Sequence, residues 1–144
     1  MSRTKRFVIT SAICAVAAAA LVTTVAEGQV KKGKERPLLT EQLMEGLVAP
    51  NCGALKKALE AGPADDKAWK EVALHAALLN EASYIMMDDG RCPAADWADA
   101  AETLRTGSQA VLDAAATQNV DAGKEAFATL TKSCGACHKV YKKG

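Results

Sequence analysis

The chain has 144 residues, a formal net charge of +1, and 49% hydrophobic but only 4% aromatic residues. The length fits one domain, since domains typically contain ~100–150 residues, and the absence of a basic patch argues against nucleic acid as a partner. Alanine is abundant, and an Ala-rich core with few aromatic side chains lets helices pack closely around something large.

The first 26 residues have the pattern of a secretory signal peptide. A basic start is followed by an apolar stretch over residues 7–25, and small residues suit cleavage at Thr24-Val25-Ala26. An uncleaved membrane anchor is the alternative, because about 20 apolar residues can span a bilayer. We therefore expect an exported protein, periplasmic or otherwise outside the cytoplasm, that is attached to a membrane only if the signal is retained.

Four amphipathic segments follow residues 27–38, a Gly- and Pro-containing stretch that we expect to be a flexible tether. The segments begin near Thr40, near Asp65, after Pro93 and near Asp121, and none shows the period-two pattern of a strand. Pro50 should kink the first helix, because it has no N–H to donate. Four helices of about 20 residues with short connections predict an all-α, antiparallel four-helix bundle over residues 39–144.

The last segment carries Cys134-Gly135-Ala136-Cys137-His138. Two thiols three positions apart can each bond to one vinyl group of haem, and the adjacent histidine can bind the iron from one face. This motif predicts one covalent haem c, held by Cys134 and Cys137, with His138 as an iron ligand. A thioredoxin-like dithiol would need a strand-to-helix turn, and a zinc site would need Cys52 and Cys92 as distant ligands.

Residues 133–142 resemble the C-terminal haem helix of the class II cytochromes c, the cytochrome c′ group. In that group CxxCH lies near the C-terminus and is followed by an aromatic and then a basic residue, as it is here by Tyr141 and Lys142. The segment 96–100 resembles the Trp-led start of the third helix of the group, and 42–44 resembles the first-helix segment on the open side of the haem.

The resemblance covers about residues 39–144 and implies a four-helix bundle, His138 as the proximal iron ligand, and frequent homodimers. The sequence departs from the group at Cys52 and Cys92, which are not typical of it, and at Lys142, where arginine is commoner.

The resemblance also bears on the sixth iron ligand. Low-spin members of the group carry a ligating methionine at a place comparable to Met44, and high-spin members carry an apolar residue there. Met44 is therefore the candidate sixth ligand, with an open site or ligation by His75 as alternatives. If the helix is rotated by part of a turn, Leu43 or Leu47 faces the iron instead, and Met44 only fills the core.

Three further cysteines need assignment. Cys14 would be removed with the signal, and Cys52 and Cys92 remain as an even pair in an oxidising compartment. Antiparallel neighbouring helices would bring the pair together, which predicts a Cys52–Cys92 disulfide; two separate buried thiols are the alternative.

Together these features predict an exported monohaem c-type cytochrome that transfers electrons between redox partner proteins. No constellation of carboxylates or histidines surrounds the motif, so we do not expect an enzyme. The basic C-terminal end is either a solvated helix end or a docking site for an acidic partner. The alternatives are a gas-binding or gas-sensing haem protein with an open sixth site, and a haem peroxidase, in which only His75 could serve as the distal residue.

Overall fold

The computed structural model describes residues 33–142, and these form an all-α four-helix bundle, as predicted. The first bundle helix is continuous and consists of α1 (Thr40–Leu43), a π-helical segment (Met44–Val48) and α2 (Ala49–Ala61). It is followed by α3 (Asp66–Met87), α4 (Ala95–Ala116) and α5 (Val120–Tyr141). The predicted signal peptide and residues 27–32 of the predicted tether lie outside the described residues. None of the helices within residues 33–142 is long and apolar enough to cross a membrane.

Side-chain caps fix where two of the helices begin. The Asp65 carboxylate accepts the N–H of Ala68 (2.8 Å) at the start of α3, and the Asn119 side chain accepts the N–H of Ala122 (3.0 Å) at the start of α5. Both contacts satisfy an N–H group that has no partner within its own helix. Asp65 and Asn119 therefore mark the starts of α3 and α5.

The first bundle helix is widened before Pro50. The Ala49 N–H donates to the Met44 carbonyl, five residues back, which is the π-helical pattern. Proline gives no N–H and its ring meets the carbonyl of residue i−4, so the disturbance predicted at Pro50 appears here as a wider turn on its N-terminal side. The Asn51 side chain donates to the Leu47 carbonyl (2.6 Å), which supplies a donor in this irregular region.

Residues 34–36, which belong to the predicted tether, are hydrogen-bonded to Asp89 in the loop before α4. The Asp89 carboxylate accepts the backbone N–H groups of Glu35 (2.9 Å) and Arg36 (3.0 Å), and the Lys34 N–H donates to the Asp89 carbonyl (3.2 Å). The bond from Arg36 is the largest cause that lowers the pKa of Asp89 below its ordinary value of 3.8. These contacts span more than fifty residues of sequence, so local composition did not indicate them.

The buried side chain of Arg91 also joins the residues before α1 to the loop before α4. Its side chain is only 1% exposed, and it donates to the Leu38 carbonyl (2.7 Å) and the Thr40 hydroxyl (3.5 Å). Thr40 is the first helical residue of α1, and Leu39 precedes it at the N-cap position. The Thr40 hydroxyl accepts a hydrogen bond from the Arg91 guanidinium.

The four helices surround one apolar core and pack in chain order, and α2 also contacts α5, which closes the bundle. The core side chains exposed by no more than 3% are Leu43, Leu55, Leu59, Val72, Ala76, Leu79, Ala82, Trp97, Ala101, Leu104, Val111 and Leu130. Gly107 on α4 lies directly against α5. A Cβ at this position would lie 2.9 Å from the Leu130 Cα, so the helices can be this close only because residue 107 is glycine.

Candidate haem site

A cavity of about 600 Å³ opens between the first bundle helix, α4 and α5. Its volume lies within the ~300–1,000 Å³ that is usual for ligand and cofactor pockets. All four bundle helices contribute to its largely apolar wall, which includes Met44, Val48, Ala49, Cys52, Gly53, Lys56, Met86, Trp97, Ala100, Ala101, Leu104, Phe127, Thr131, Ser133, Cys134, Cys137 and His138.

The three residues of the predicted attachment motif all line this cavity. Cys134, Cys137 and His138 occupy positions i, i+3 and i+4 of α5, which place them on one face of the helix. The two thiols are half-buried and His138 is exposed at the cavity mouth. The motif therefore presents two sulfur atoms and one imidazole to the same space.

Met44 lies on the wall that the first bundle helix contributes. It also lines a smaller cavity of about 210 Å³, whose wall again contains His138. Leu43 is 1% exposed and belongs to the core, and Leu47 is partly buried against it. Of these three side chains only Met44 lines either cavity in the described part of the chain. The structure thus brings the predicted sixth ligand and the predicted proximal ligand to one site.

His75, the alternative sixth ligand, is in a different place. It lies on α3, and its Nδ1 is 2.8 Å from the Asn51 Oδ1. It lines neither cavity, so neither ligation by His75 nor a distal peroxidase histidine is supported by this geometry.

The two competing interpretations of the cysteine motif also lack structural support. The motif lies in the last turns of α5, not at a helix N-terminus after a strand, as a thioredoxin-like site would require. Residues 33–142 contain no group of three or more His, Cys, Asp or Glu side chains arranged to hold a metal ion such as zinc.

Comparison with protein-family models matches residues 93–142 to the family described as Cytochrome C'. The match begins just before α4, ends at the last described residue, and includes the whole CxxCH motif. Residues 93–142 are similar to that family. No curated protein and no solved structure matches the chain.

Cytochromes c′ bind covalently attached haem c, and the cavity of this chain has the groups that such a haem requires. Cys134 and Cys137 would hold it through thioether bonds, and His138 would give an imidazole nitrogen to the iron. The thioether of Met44 lies in the same wall, and the remaining lining is largely apolar, which suits the porphyrin ring.

The predicted Cys52–Cys92 disulfide is absent, because both residues are free thiols. Cys52 is hydrogen-bonded to Cys134, whereas Cys92 donates to the Ala94 carbonyl (3.4 Å) and lies near Tyr141. Cys134 and Tyr141 are seven positions apart on α5, which is roughly 10 Å along the helix axis. The two cysteines therefore lie at different levels of the bundle, and a disulfide needs Cα atoms within ~7 Å.

The surroundings of the three cavity thiols give them different acidities. The hydrogen bond from Cys52 lowers the pKa of Cys134, and the same contact raises the pKa of Cys52 well above its ordinary value. Burial, followed by the nearby negative charges of Cys134 and Asp96, raises the pKa of Cys137 to about 11. Of the three, Cys134 is the thiol that ionises first.

A polar contact closes the end of the cavity next to Cys137. The Tyr141 hydroxyl donates to the Asp96 carboxylate, and the Tyr141 ring packs edge-on against Trp97, with centroids 5.1 Å apart at 83°. The Trp97 indole N–H donates to the Met86 carbonyl (2.9 Å). The sequence placed Trp97 in a family-like segment but gave no role to Asp96, which holds the aromatic pair in position.

Proposed function

We propose that this chain is an exported monohaem electron carrier in which Met44 is the sixth iron ligand, and that it is not an enzyme. The observation that carries the proposal is the common wall: Met44 lines the same two cavities as His138. The bound haem would supply a one-electron ferric–ferrous couple.

The side chains of the cavity would each contribute to this role. The thioether of Met44 is a soft, neutral ligand that favours ferrous iron and raises the reduction potential. A ligand on each face also limits the change in geometry on electron transfer. Trp97 and Leu104, both 3% exposed, cover one side of the cavity and keep water from it.

Redox partner proteins would meet the side of the molecule where His138 is exposed. The charges there are mixed, because Glu41, Glu45 and Lys142 line the smaller cavity. We therefore infer that docking does not depend on a purely basic end, although Lys139 and Lys142 are both exposed. Association with partners should accordingly depend only weakly on ionic strength.

Optical spectra of Met44→Ala test the sixth ligand. The loaded wild type should be low-spin, and Met44→Ala should be high-spin and bind carbon monoxide rapidly in the ferrous form. Met87→Ala is the matched control, because Met87 packs against the core but lines neither cavity. If the wild type is already high-spin and binds carbon monoxide readily at neutral pH, Met44 is a packing residue and the gas-binding function is favoured.

Covalent attachment is tested separately on a denaturing gel stained for haem. Wild type should retain its haem, Cys137→Ala should retain less, and His138→Ala should lose the native spectrum. Cys92→Ala is the control, since Cys92 lies outside the cavity lining. Haem that extracts freely into acidic acetone from the wild type would refute the attachment.

A further inference from the structure

Three thiols line the main cavity, although the attachment motif contains only two. Cys52 on α2 lies against Cys134 on α5, and the two thiols are hydrogen-bonded to each other. Both are free cysteines, and both are half-buried at a cavity wall. Cys137 is one helical turn further along α5. The proposed function uses Cys134 and Cys137 and gives Cys52 no role.

We propose that Cys52 is the redox partner of Cys134: in the chain that has not yet received haem, a small disulfide oxidant converts the two thiols into a Cys52–Cys134 disulfide, which withholds Cys134 from attachment until it is reduced. The proposal rests on the proposed function, because withholding Cys134 has a consequence only if Cys134 is an attachment residue. A small oxidant is the appropriate class, since the sulfur atoms are half-buried in a cavity of about 600 Å³.

The reaction is two successive thiol–disulfide exchanges. The Cys134 thiolate attacks one sulfur of the oxidant, forms a mixed disulfide and releases one thiolate. Cys52 then loses its proton and attacks the Cys134 sulfur, so the bond to the oxidant breaks and a second thiolate leaves. Two protein thiols lose two electrons, and the oxidant gains them and leaves as two thiols that carry the two protons. A dithiol reductant reverses both steps.

The contact between the two thiols sets this order of attack. The thiolate is the nucleophile in disulfide exchange, and the hydrogen bond from Cys52 favours the thiolate of Cys134. The pKa of Cys52 is raised chiefly by its hydrogen bond to Cys134. Once Cys134 is in a mixed disulfide that effect is removed, so Cys52 becomes easier to ionise when its attack is required.

The two other cysteines are less suitable partners for Cys134. Cys137 lies three positions from Cys134 on the same rigid helix, which fixes the separation of the two residues. Cys92 lies near Tyr141, roughly 10 Å further along α5 from Cys134. Cys52 is the thiol that the fold places in contact with Cys134.

Disulfide mapping tests the pairing directly. The full-length chain, produced without haem attachment, is treated with oxidised glutathione, its free thiols are blocked in acid, and its tryptic peptides are analysed by mass spectrometry. Cys134 and Cys137 share the peptide 133–139, so fragmentation is needed to tell them apart. We expect the Cys52 peptide joined to Cys134 as the most abundant linkage. Predominance of Cys134–Cys137 or Cys52–Cys92, or no linkage, would overturn the proposal.

Haem-attachment yield under oxidising conditions gives a second measurement that does not require the haem-free chain to be isolated. In cells with a haem-attachment system, added oxidised glutathione should reduce the attachment yield of wild type, and Cys52→Ser should lose most of that sensitivity. Cys92→Ser is the matched control and should remain as sensitive as wild type. Equal sensitivity of wild type and Cys52→Ser would overturn the proposal.

The two measurements separate this proposal from the proposed function. A chain that retains haem but forms the Cys134–Cys137 linkage keeps the haem function and loses the role of Cys52. A chain that forms the Cys52–Cys134 linkage but never retains haem has the thiol pair without the attachment site. That result would refute the claim that the disulfide controls haem attachment.

Discussion

Gly107→Ala is expected to destabilise the protein, although alanine is the better helix former. An added Cβ would lie 2.9 Å from the Leu130 Cα and 3.0 Å from the Leu130 Cβ and N. Carbon atoms in favourable contact are ~3.5–4.0 Å apart, so the backbone of α5 must move away by about 0.5–1 Å. Leu130 precedes Cys134 by one helical turn, and the same displacement therefore reaches the attachment site.

The size of the effect follows from two opposing contributions. Overpacking a well-packed contact costs typically ~1–3 kcal/mol, and the upper half of this range applies because the neighbour is backbone, not a flexible side chain. Replacing glycine by alanine in a helix returns about 1 kcal/mol. The net loss is about 1–2 kcal/mol in the free energy of unfolding, and each kcal/mol lowers Tm by about 4–8 °C in a domain of this size.

Thermal and denaturant unfolding of the loaded protein, followed by circular dichroism, measures this loss. Gly46→Ala is the control: Gly46 is exposed, and a Cβ there would meet no atom within 4 Å. That variant should unfold at the wild-type temperature or slightly above it. The reasoning is refuted if Gly107→Ala is as stable as the wild type, or if both substitutions have the same effect.

Two further predictions concern the junction between residues 33–38 and the loop before α4. Asp89→Asn should release residues 33–38 from the loop, because it removes the charged acceptor of two backbone N–H groups. Proteolysis at residues 34–36 should therefore become faster. Asp88→Asn, which breaks only an exposed ion pair, should change the rate of proteolysis little. Arg91→Met should lower the free energy of unfolding by about 2 kcal/mol in denaturant titrations, since it removes two buried donors, and Arg105→Met, on the partly exposed face of α4, should cost less.

Helical periodicity predicted the fold because the spacing of apolar residues within each segment indicates which face of that helix is buried. The four bundle helices begin at Thr40, Asp66, Ala95 and Val120, within one or two residues of the predicted starts. The π-helical segment was not predicted, since Pro50 indicates a disturbance but not the form that it takes.

The sequence indicated which candidate site residues lie together where they share one helix, and it missed contacts between helices. Cys134, Cys137 and His138 share one turn of one helix, so their spacing alone places them together. Which residue contacts Cys52 depends on the direction in which its side chain points from the helix. Cys52 follows Met44 and Val48 at steps of four and lines the cavity with them, so helical spacing already indicated that it faces inward. The even number of cysteines indicated a disulfide, but the number alone does not show which way each side chain points.

Tyr141 gives the bundle an alkaline sensitivity whose direction and range follow from its surroundings. The side chain is 5% exposed and its hydroxyl donates to the Asp96 carboxylate. Burial, then the bond to Asp96, raises the pKa of Tyr141 from 10.0 to about 12. In the unfolded chain the phenol ionises near 10, so between pH 10 and about 12 the unfolded state binds fewer protons than the folded state. Stability therefore falls as pH rises through this range.

The difference in unfolding free energy between wild type and Tyr141→Phe isolates this contribution. At neutral pH wild type should be the more stable, because the variant loses a hydrogen bond to a charged acceptor, worth about 1.5–3 kcal/mol. That advantage should shrink by on the order of 2–3 kcal/mol as pH rises from 10 to about 12. Asp96→Asn should lower the phenolate midpoint of Tyr141, followed by near-ultraviolet absorbance, yet leave it above 10, because burial is the larger cause. A midpoint near 10 in folded wild type would contradict this assignment.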